Sequence, residues 1–182
     1  MEYYLSIDAG TSIVKVVLFD LKFNVKNLYS VKNIVEVDSS GKSEINMNTF
    51  WKVTRKCIKS CILDSKINAS NIIAVGITAN MVGVWPINKN NKPIRNAILW
   101  NDTRSQEVFA NIIKKNKNIF KDIFKISGSI VQYGCTLPII KWLELNEKLI
   151  LKKIKFFLTC KDWIRFNLTG NLNNDFTERS VS

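Results

Sequence analysis

The run Ser6-Ile7-Asp8-Ala9-Gly10-Thr11-Ser12 decides how this chain is read. Upstream, Tyr3 to Asp8 alternates and is rich in β-formers. Downstream, Val14 to Asp20 resumes as a strand, so the two runs form a hairpin around Ala9-Gly10-Thr11-Ser12. A carboxylate at a strand end, followed by a tight turn with two hydroxyls, has the makings of a phosphate cradle. Gly10 permits close backbone approach, and the amides and hydroxyls of Thr11 and Ser12 can face phosphate oxygens. Asp8 can hold a hydrated Mg²⁺, and Lys15 can add a point charge. Spacing alone leaves a second reading open, an ordinary hairpin in which Asp8 and Gly10 serve only the turn.

Beyond the hairpin, a third extended stretch is expected from Val25 to about Val37, then a loop at Asp38-Ser39-Ser40-Gly41. Asn48 is expected to cap a helix through Leu63, with Phe50, Val53, Cys57, Ile58 and Cys61 on its apolar side. Ile72 to Thr78 reads as a buried strand. Gly83 to Ile87 and Ala97 to Trp100 read as strands on either side of a turn at Asn88 to Lys92. Helices are expected from a Thr103 cap to about Lys115, over Leu137 to Asn146, and over Asp162 to Leu168 with Gly170 as the stop. Lys155 to Thr159 supplies a further strand. Three strands followed by alternating helices and strands imply an α/β domain with a mixed sheet. No repeat or Pro-, Gly- or Ser-rich linker divides residues 1–182, so the chain reads as one domain.

Composition narrows the chemistry. Histidine is absent, which removes Ser-His and Cys-His nucleophiles and the commonest zinc ligand together. Cys57, Cys61, Cys135 and Cys160 show neither zinc spacing nor a secreted disulfide framework, and they read as buried thiols. The longest apolar runs fall short of the roughly 20 residues that span a bilayer, and the start lacks a signal-peptide pattern. The expected setting is therefore cytoplasmic, with no membrane partner. The formal charge of +12 comes from 22 Lys and only 5 Arg, and the lysines are scattered instead of forming a stripe. Specific base reading favours forked Arg, and some nonspecific polyanion binding at low salt is still expected from this charge. Gly41-Lys42-Ser43 imitates the end of a P-loop, but Glu36 stands where the required glycine would be.

Ile7-Asp8-Ala9-Gly10-Thr11-Ser12, with Lys15 and Phe19-Asp20 after it, resembles the opening phosphate-binding hairpin of FGGY carbohydrate kinases in the actin-like ATPase superfamily. The resemblance continues in order. Glu44 and Trp51 match, then Gly76 to Met81, then the long block Lys92 to Arg104. Gly134-Cys135-Thr136 leading to Trp142 follows, then Lys161-Asp162 through Gly170, and last Asp175 to Ser180. It implies a ribonuclease-H-like α/β domain, its mixed sheet opened by three antiparallel strands with helices on both faces. Asp8, Gly10, Thr11, Ser12 and Lys15 would face the phosphates of ATP, with Asp8 reaching Mg²⁺ through water. Met81, Val82, Trp100, Asp102 and Arg104 would lie near the sugar. Physical logic supports part of this: an indole offers a flat wall to sugar C–H groups, and Asp102 or Arg104 can bond hydroxyls.

Some positions depart from the family pattern. Met81-Val82 is neither the Arg-Glu of the family's glycerol kinases nor the Met-His of its xylulose kinases. Ile139 stands where a lysine is usual, with Lys141 two positions away. The resemblance also implies that the general base lies beyond Ser182, together with a second domain that completes the ATP site. The expected function is transfer of phosphate from ATP to a hydroxyl of a ketose, pentulose or polyol, with the chain inactive alone and completed by a separate C-terminal kinase domain. The alternatives are a non-catalytic remnant or split-kinase fragment that binds sugar or a partner weakly, and a basic nucleic-acid-binding domain.

Overall fold

The computed structural model describes residues 1–174 and 176–181, so Asp175 of the last matching segment lies outside the described residues, as does Ser182. Strands β1 (Tyr3–Ala9), β2 (Ile13–Asp20) and β3 (Val25–Lys32) form an antiparallel meander. Asp20 fixes the second turn. Its carboxylate accepts from the backbone amides of Lys22 and Asn24 and from the Asn24 side chain, and Lys26 pairs with it at 3.0 Å. The third extended stretch stops at Lys32 instead of running to Val37. The short β4 (Glu36–Val37) turns away to pair with β5 (Ser43–Ile45).

Helix α1 (Met47–Asp64) is capped by Asn46, whose side chain accepts from the Thr49 amide, two residues before the expected Asn48. Its buried seam is Phe50, Thr54, Cys57 and Cys61. The Cys57 and Cys61 thiols donate to carbonyls of the sheet beneath, Tyr29 at 3.1 Å and Val16 at 3.5 Å, and all four cysteines are free and buried. Burial pushes the Cys57 thiol up to about 11, with neighbouring Cys61 adding to the effect.

A crossover through α1 brings β6 (Ile72–Ala79) parallel to β1, giving the order β3-β2-β1-β6. Leu5, Ile7 and Ala9 face Val14, Val16 and Leu18 across the register, and these buried side chains form the floor on which α1 packs. Helices were expected on the second face as well. Among the described residues that face is open: Leu28 is 54% exposed, and nothing lies within 4 Å of where a Gly76 side chain would point. Across this face the register runs Leu28, Val17, Ser6 and Gly76, with Lys15, Asp8 and Thr78 in the next row, so it is apolar toward β3 and polar or small toward β6. Strand β6 ends the sheet, paired with β1 on one side, with Ile73 and Val75 about half exposed.

The remaining elements form a second layer. Strand β7 (Trp85–Ile87) pairs with β9, β8 (Ala97–Ile98) pairs with β5, and a bridge between Val84 and Ile98 joins the two small sheets. Helix α2 (Gln106–Lys115) begins after Ser105, not at the expected Thr103 cap, because the Thr103 hydroxyl is turned back to the Gly41 carbonyl. Helix α3 (Ile119–Ser127) was not anticipated and is fixed by stacking of Phe120 on Phe109, which in turn meets the edge of Tyr133. Then follow α4 (Thr136–Asn146), α5 (Lys148–Leu151), β9 (Phe156–Leu158), α6 (Cys160–Thr169) and α7 (Phe176–Val181). Thr159 and Asp162 form a reciprocal capping box on α6, and Gly170 ends it in a left-handed conformation. Trp163 of α6 donates its indole N–H to the Met47 carbonyl, seating α6 beside α1 over the same core.

Candidate functional site

Because β1 and β6 are parallel, the segments that leave them, Gly10 onward and Asn80 onward, emerge at the same edge of the sheet. Asn80 ties the two exits together, its backbone amide and side-chain amide both donating to the Ala9 carbonyl at 3.1 and 3.3 Å. The Gly10-Thr11-Ser12 turn is braced from β3. Asn33 donates its side-chain amide to the carbonyls of Gly10 and Thr11 and its backbone amide to that of Ser12. Sequence reading missed Asn33, since nothing local marks an asparagine after a strand as the brace of a turn some 20 residues upstream. Gly10 itself has little room, as a side chain there would lie 3.0 Å from the Ile13 carbonyl. The carboxylate of Asp8 and the ammonium of Lys15 stand 3.9 Å apart with both side chains about half exposed. Such a screened pair adds little stability, so both groups remain accessible.

Beside this turn opens a cleft of about 640 Å³ lined by Asn80, Met81, Val82, Trp100, Phe124 and Gln132, among others. Met81 and Trp100 are about half exposed. The Trp100 indole N–H donates to the Thr11 hydroxyl at 3.0 Å, so one side chain joins the cleft wall to the Gly10-Thr11-Ser12 turn. The backbone behind the wall is strained and tightly packed. Val82 sits at φ +48°, uncommon for a β-branched residue. Its amide donates to the buried Glu178 carboxylate at 3.3 Å, and Glu178 also pairs with Lys161 at 3.5 Å. Gly83 donates to the Gly134 carbonyl and accepts from the Thr136 hydroxyl. Gly134 lies so close to Trp100 that a side chain there would meet the Trp100 carbonyl oxygen at 1.7 Å.

Met81, Val82 and Trp100 therefore converge with Thr11, whereas Asp102 and Arg104 turn inward. Asp102 is 1% exposed and accepts from the Ser43 amide at 2.7 Å and from the Arg104 guanidinium at 2.7 and 2.8 Å. Arg104 also pairs with Glu44, which Arg95 shares, and lies over the Trp142 ring at 5.0 Å. Burial works against the Arg104 charge, but the hydrogen bonds it donates to Asp102 and Glu44 outweigh it and hold the guanidinium protonated more firmly than usual. These groups clamp the loop that presents Trp100. Glu44 and Trp142, noted in sequence only as matches, belong to that clamp. The cleft itself offers flat apolar walls with a few polar rims, beside a turn rich in donors, and that suits a hydroxylated carbon skeleton next to a phosphate chain.

The N-terminal domain of the FGGY family of carbohydrate kinases matches residues 3–182. A xylulose kinase of Staphylococcus xylosus is 34% identical over 99% of this chain, which covers 36% of that protein. A xylulose kinase of Bacillus subtilis is 30% identical over 98%, covering 35% of it. Among solved structures, the Plasmodium falciparum glycerol kinase with ADP superposes with a TM-score of 0.82 at 26% identity, over the whole of this chain and 37% of that one. A ligand-bound xylulose kinase from Lactobacillus acidophilus superposes with a TM-score of 0.89 at 20% identity, over 99% of this chain and 36% of that one, a likeness of fold. The chain thus spans about a third of the length of the curated relatives it matches.

Proposed function

Since the chain belongs to the FGGY family of carbohydrate kinases, as its N-terminal domain, we propose that it forms the sugar side of a cytoplasmic kinase transferring phosphate from ATP to a ketose, pentulose or polyol hydroxyl. The observation that carries this reading is the Trp100 to Thr11 hydrogen bond, which sets the cleft wall against the donor-rich turn. Trp100 and Met81 hold the C–H face of the sugar. The Thr11 hydroxyl, having accepted the indole N–H, is free to donate its own proton to a phosphate oxygen. Ser12 and the turn amides supply further donors, and Lys15 adds charge.

No group of three metal-ligating side chains occurs among the described residues. The half-exposed Asp8 carboxylate, at the strand end beside the turn, is suited to hold a hydrated magnesium ion through water. Bound Mg·ATP brings the transferable phosphoryl group and neutralises its charge. Val82 places an apolar side chain where a polar one would select a particular hydroxyl pattern. For that reason the sugar is left at the level of ketose, pentulose or polyol, although the quoted relatives include xylulose kinases and a glycerol kinase. The general base and the rest of the nucleotide site are assigned to the remaining two thirds of such a kinase, as a separate chain or domain. Asp102 and Arg104 act on the sugar only through the loop they hold. No helix among the described residues is long and apolar enough to cross a membrane.

The test is reconstitution. The purified chain should show no sugar-dependent ADP formation across pentuloses, hexuloses, glycerol and alditols, because base and positioning each contribute several powers of ten. Joined to the C-terminal two thirds of a xylulose kinase, it should gain such turnover, and Trp100→Phe should lower it by weakening the link to Thr11. Kinase-rate turnover by the chain alone, or an active chimera indifferent to Trp100→Ala, would overturn the assignment.

A further inference from the structure

At the end of β7 away from the cleft, a second concavity of about 420 Å³ is lined by Lys89, Lys152, Lys153 and Lys155, with Asn88 and Asn90 beside them. No carboxylate lines it. None of the four lysines is within ion-pair distance of an acid among the described residues, and the surrounding segments 85–96 and 148–160 contain no Asp or Glu at all. Two hydrogen-bonded turns fix the frame. The Asn88 side chain accepts from the amides of Asn90 and Lys92, closing one turn. Lys153 and Ile154 donate to the carbonyls of Ile150 and Leu151, closing the other, and the Lys155 amide bonds the Ile87 carbonyl to lock the two together.

Four like charges held in one concavity repel one another, and water and salt offset that repulsion only partly within a Debye length of about 8 Å. A single negative charge relieves little of it, whereas a chain of phosphates can neutralise several ammonium groups at once. Lysines act as point charges with rotatable donors and can follow a flexible anion, but they lack the forked geometry that reads bases. The lining is also a bowl between two turns instead of an extended stripe, which disfavours a duplex. We propose that this lysine bowl is a binding site for a small, multiply charged phosphate, of the di- or triphosphate class, separate from the cleft.

Calorimetric titration of the full chain at about 150 mM salt tests the proposal. Tripolyphosphate should bind a saturable site whose affinity Lys15→Gln beside the Thr11 turn leaves unchanged, orthophosphate should bind it at least an order of magnitude more weakly, and the affinity should fall as salt rises. The combined change Lys89→Gln, Lys153→Gln and Lys155→Gln should reduce the tripolyphosphate affinity about tenfold, since three screened charge contacts multiply to about one power of ten. Removing the same charge from α1 with Lys52→Gln, Lys56→Gln and Lys59→Gln should change it less than twofold. Lys153→Glu alone, expected to act in the same direction as the bowl triple, keeps the test decisive if the triple variant loses structure. Equal losses in the bowl and α1 variants, absence of saturable binding, or tighter binding of a short DNA duplex than of tripolyphosphate would each overturn the proposal.

Discussion

Replacing Gly134 by alanine is the sharpest probe of how the cleft wall is held. The added methyl would start 1.7 Å from the Trp100 carbonyl oxygen and 2.3 Å from its carbonyl carbon, where ordinary side chains come no closer than 3.0 Å. Both obstacles are backbone, so rotation of a side chain cannot relieve them. Either the Trp100 loop or the Gly134 segment must shift by more than an ångström. The first is pinned by the Asp102 and Arg104 clamp and the second by the bond from Gly83, so the strain is retained. Overpacking of this kind costs about 1–3 kcal/mol, which for a chain of this size lowers the melting temperature by about 3–10 °C. Gly76→Ala is the matched control, since nothing lies within 4 Å of its methyl and it replaces a strand glycine, so it should be neutral or stabilising by up to about 1 kcal/mol. Thermal melts of the two variants read the difference, and near-ultraviolet circular dichroism reads the displacement of Trp100. A Gly134→Ala protein that melts with Gly76→Ala and keeps its aromatic signal would refute the reasoning.

Other outcomes follow from the same contacts. Asp102→Ala and Glu44→Ala should each cost about 3 kcal/mol or more in urea unfolding, because removing one acid leaves a buried guanidinium short of its counter-charge; a loss below 1 kcal/mol would place Arg104 in water. Thr159→Ala should cost about 1 kcal/mol through loss of the α6 cap, read as a shift in urea midpoint at unchanged slope, and no shift would dismiss the cap. The Cys57 thiol is held up at about 11 in the fold but ionises near 8.5 when unfolded. Its contribution to stability is therefore whole below about pH 8.5 and declines from there as the pH rises toward 11. Urea midpoints at pH 7.5 and 9.5 should differ in that direction, and equal midpoints would count against the burial of the pair.

The hairpin and its turn were legible in the sequence because alternation, a breaker and β-forming residues all lie within about 20 positions. Met81 and Val82 follow β6, whose parallel pairing with β1 carries both strand exits to a common edge, whereas Trp100 follows β8 in a separate antiparallel sheet and meets that edge through its indole bond to Thr11. Arg104 was not legible in the same way. What turns it inward is Glu44, 60 residues upstream, and a short window cannot tell a guanidinium with a distant partner from a solvated one. Helix α3 was hidden for a similar reason. Its surroundings read as lysine and asparagine, and the contact that fixes it is a stack between Phe109 and Phe120 from separate helices.

Among the described residues no strand pairs with the outer side of β6, and that has a colloidal consequence. Ile72 to Ala79 carries neither charge nor proline, and its outer row of amides and carbonyls faces outward at the sheet edge beside half-exposed Ile73 and Val75. An uncharged, unbroken edge is a template on which a second extended chain can zip. What keeps copies of this chain apart is then the formal +12 spread over the rest of the surface, a repulsion with a reach of about 10 Å at 0.1 M salt and about 3 Å at 1 M. Dispersal of the isolated chain thus depends on dilute electrolyte, and added salt, by shortening that reach, brings the bare edges within zipping distance.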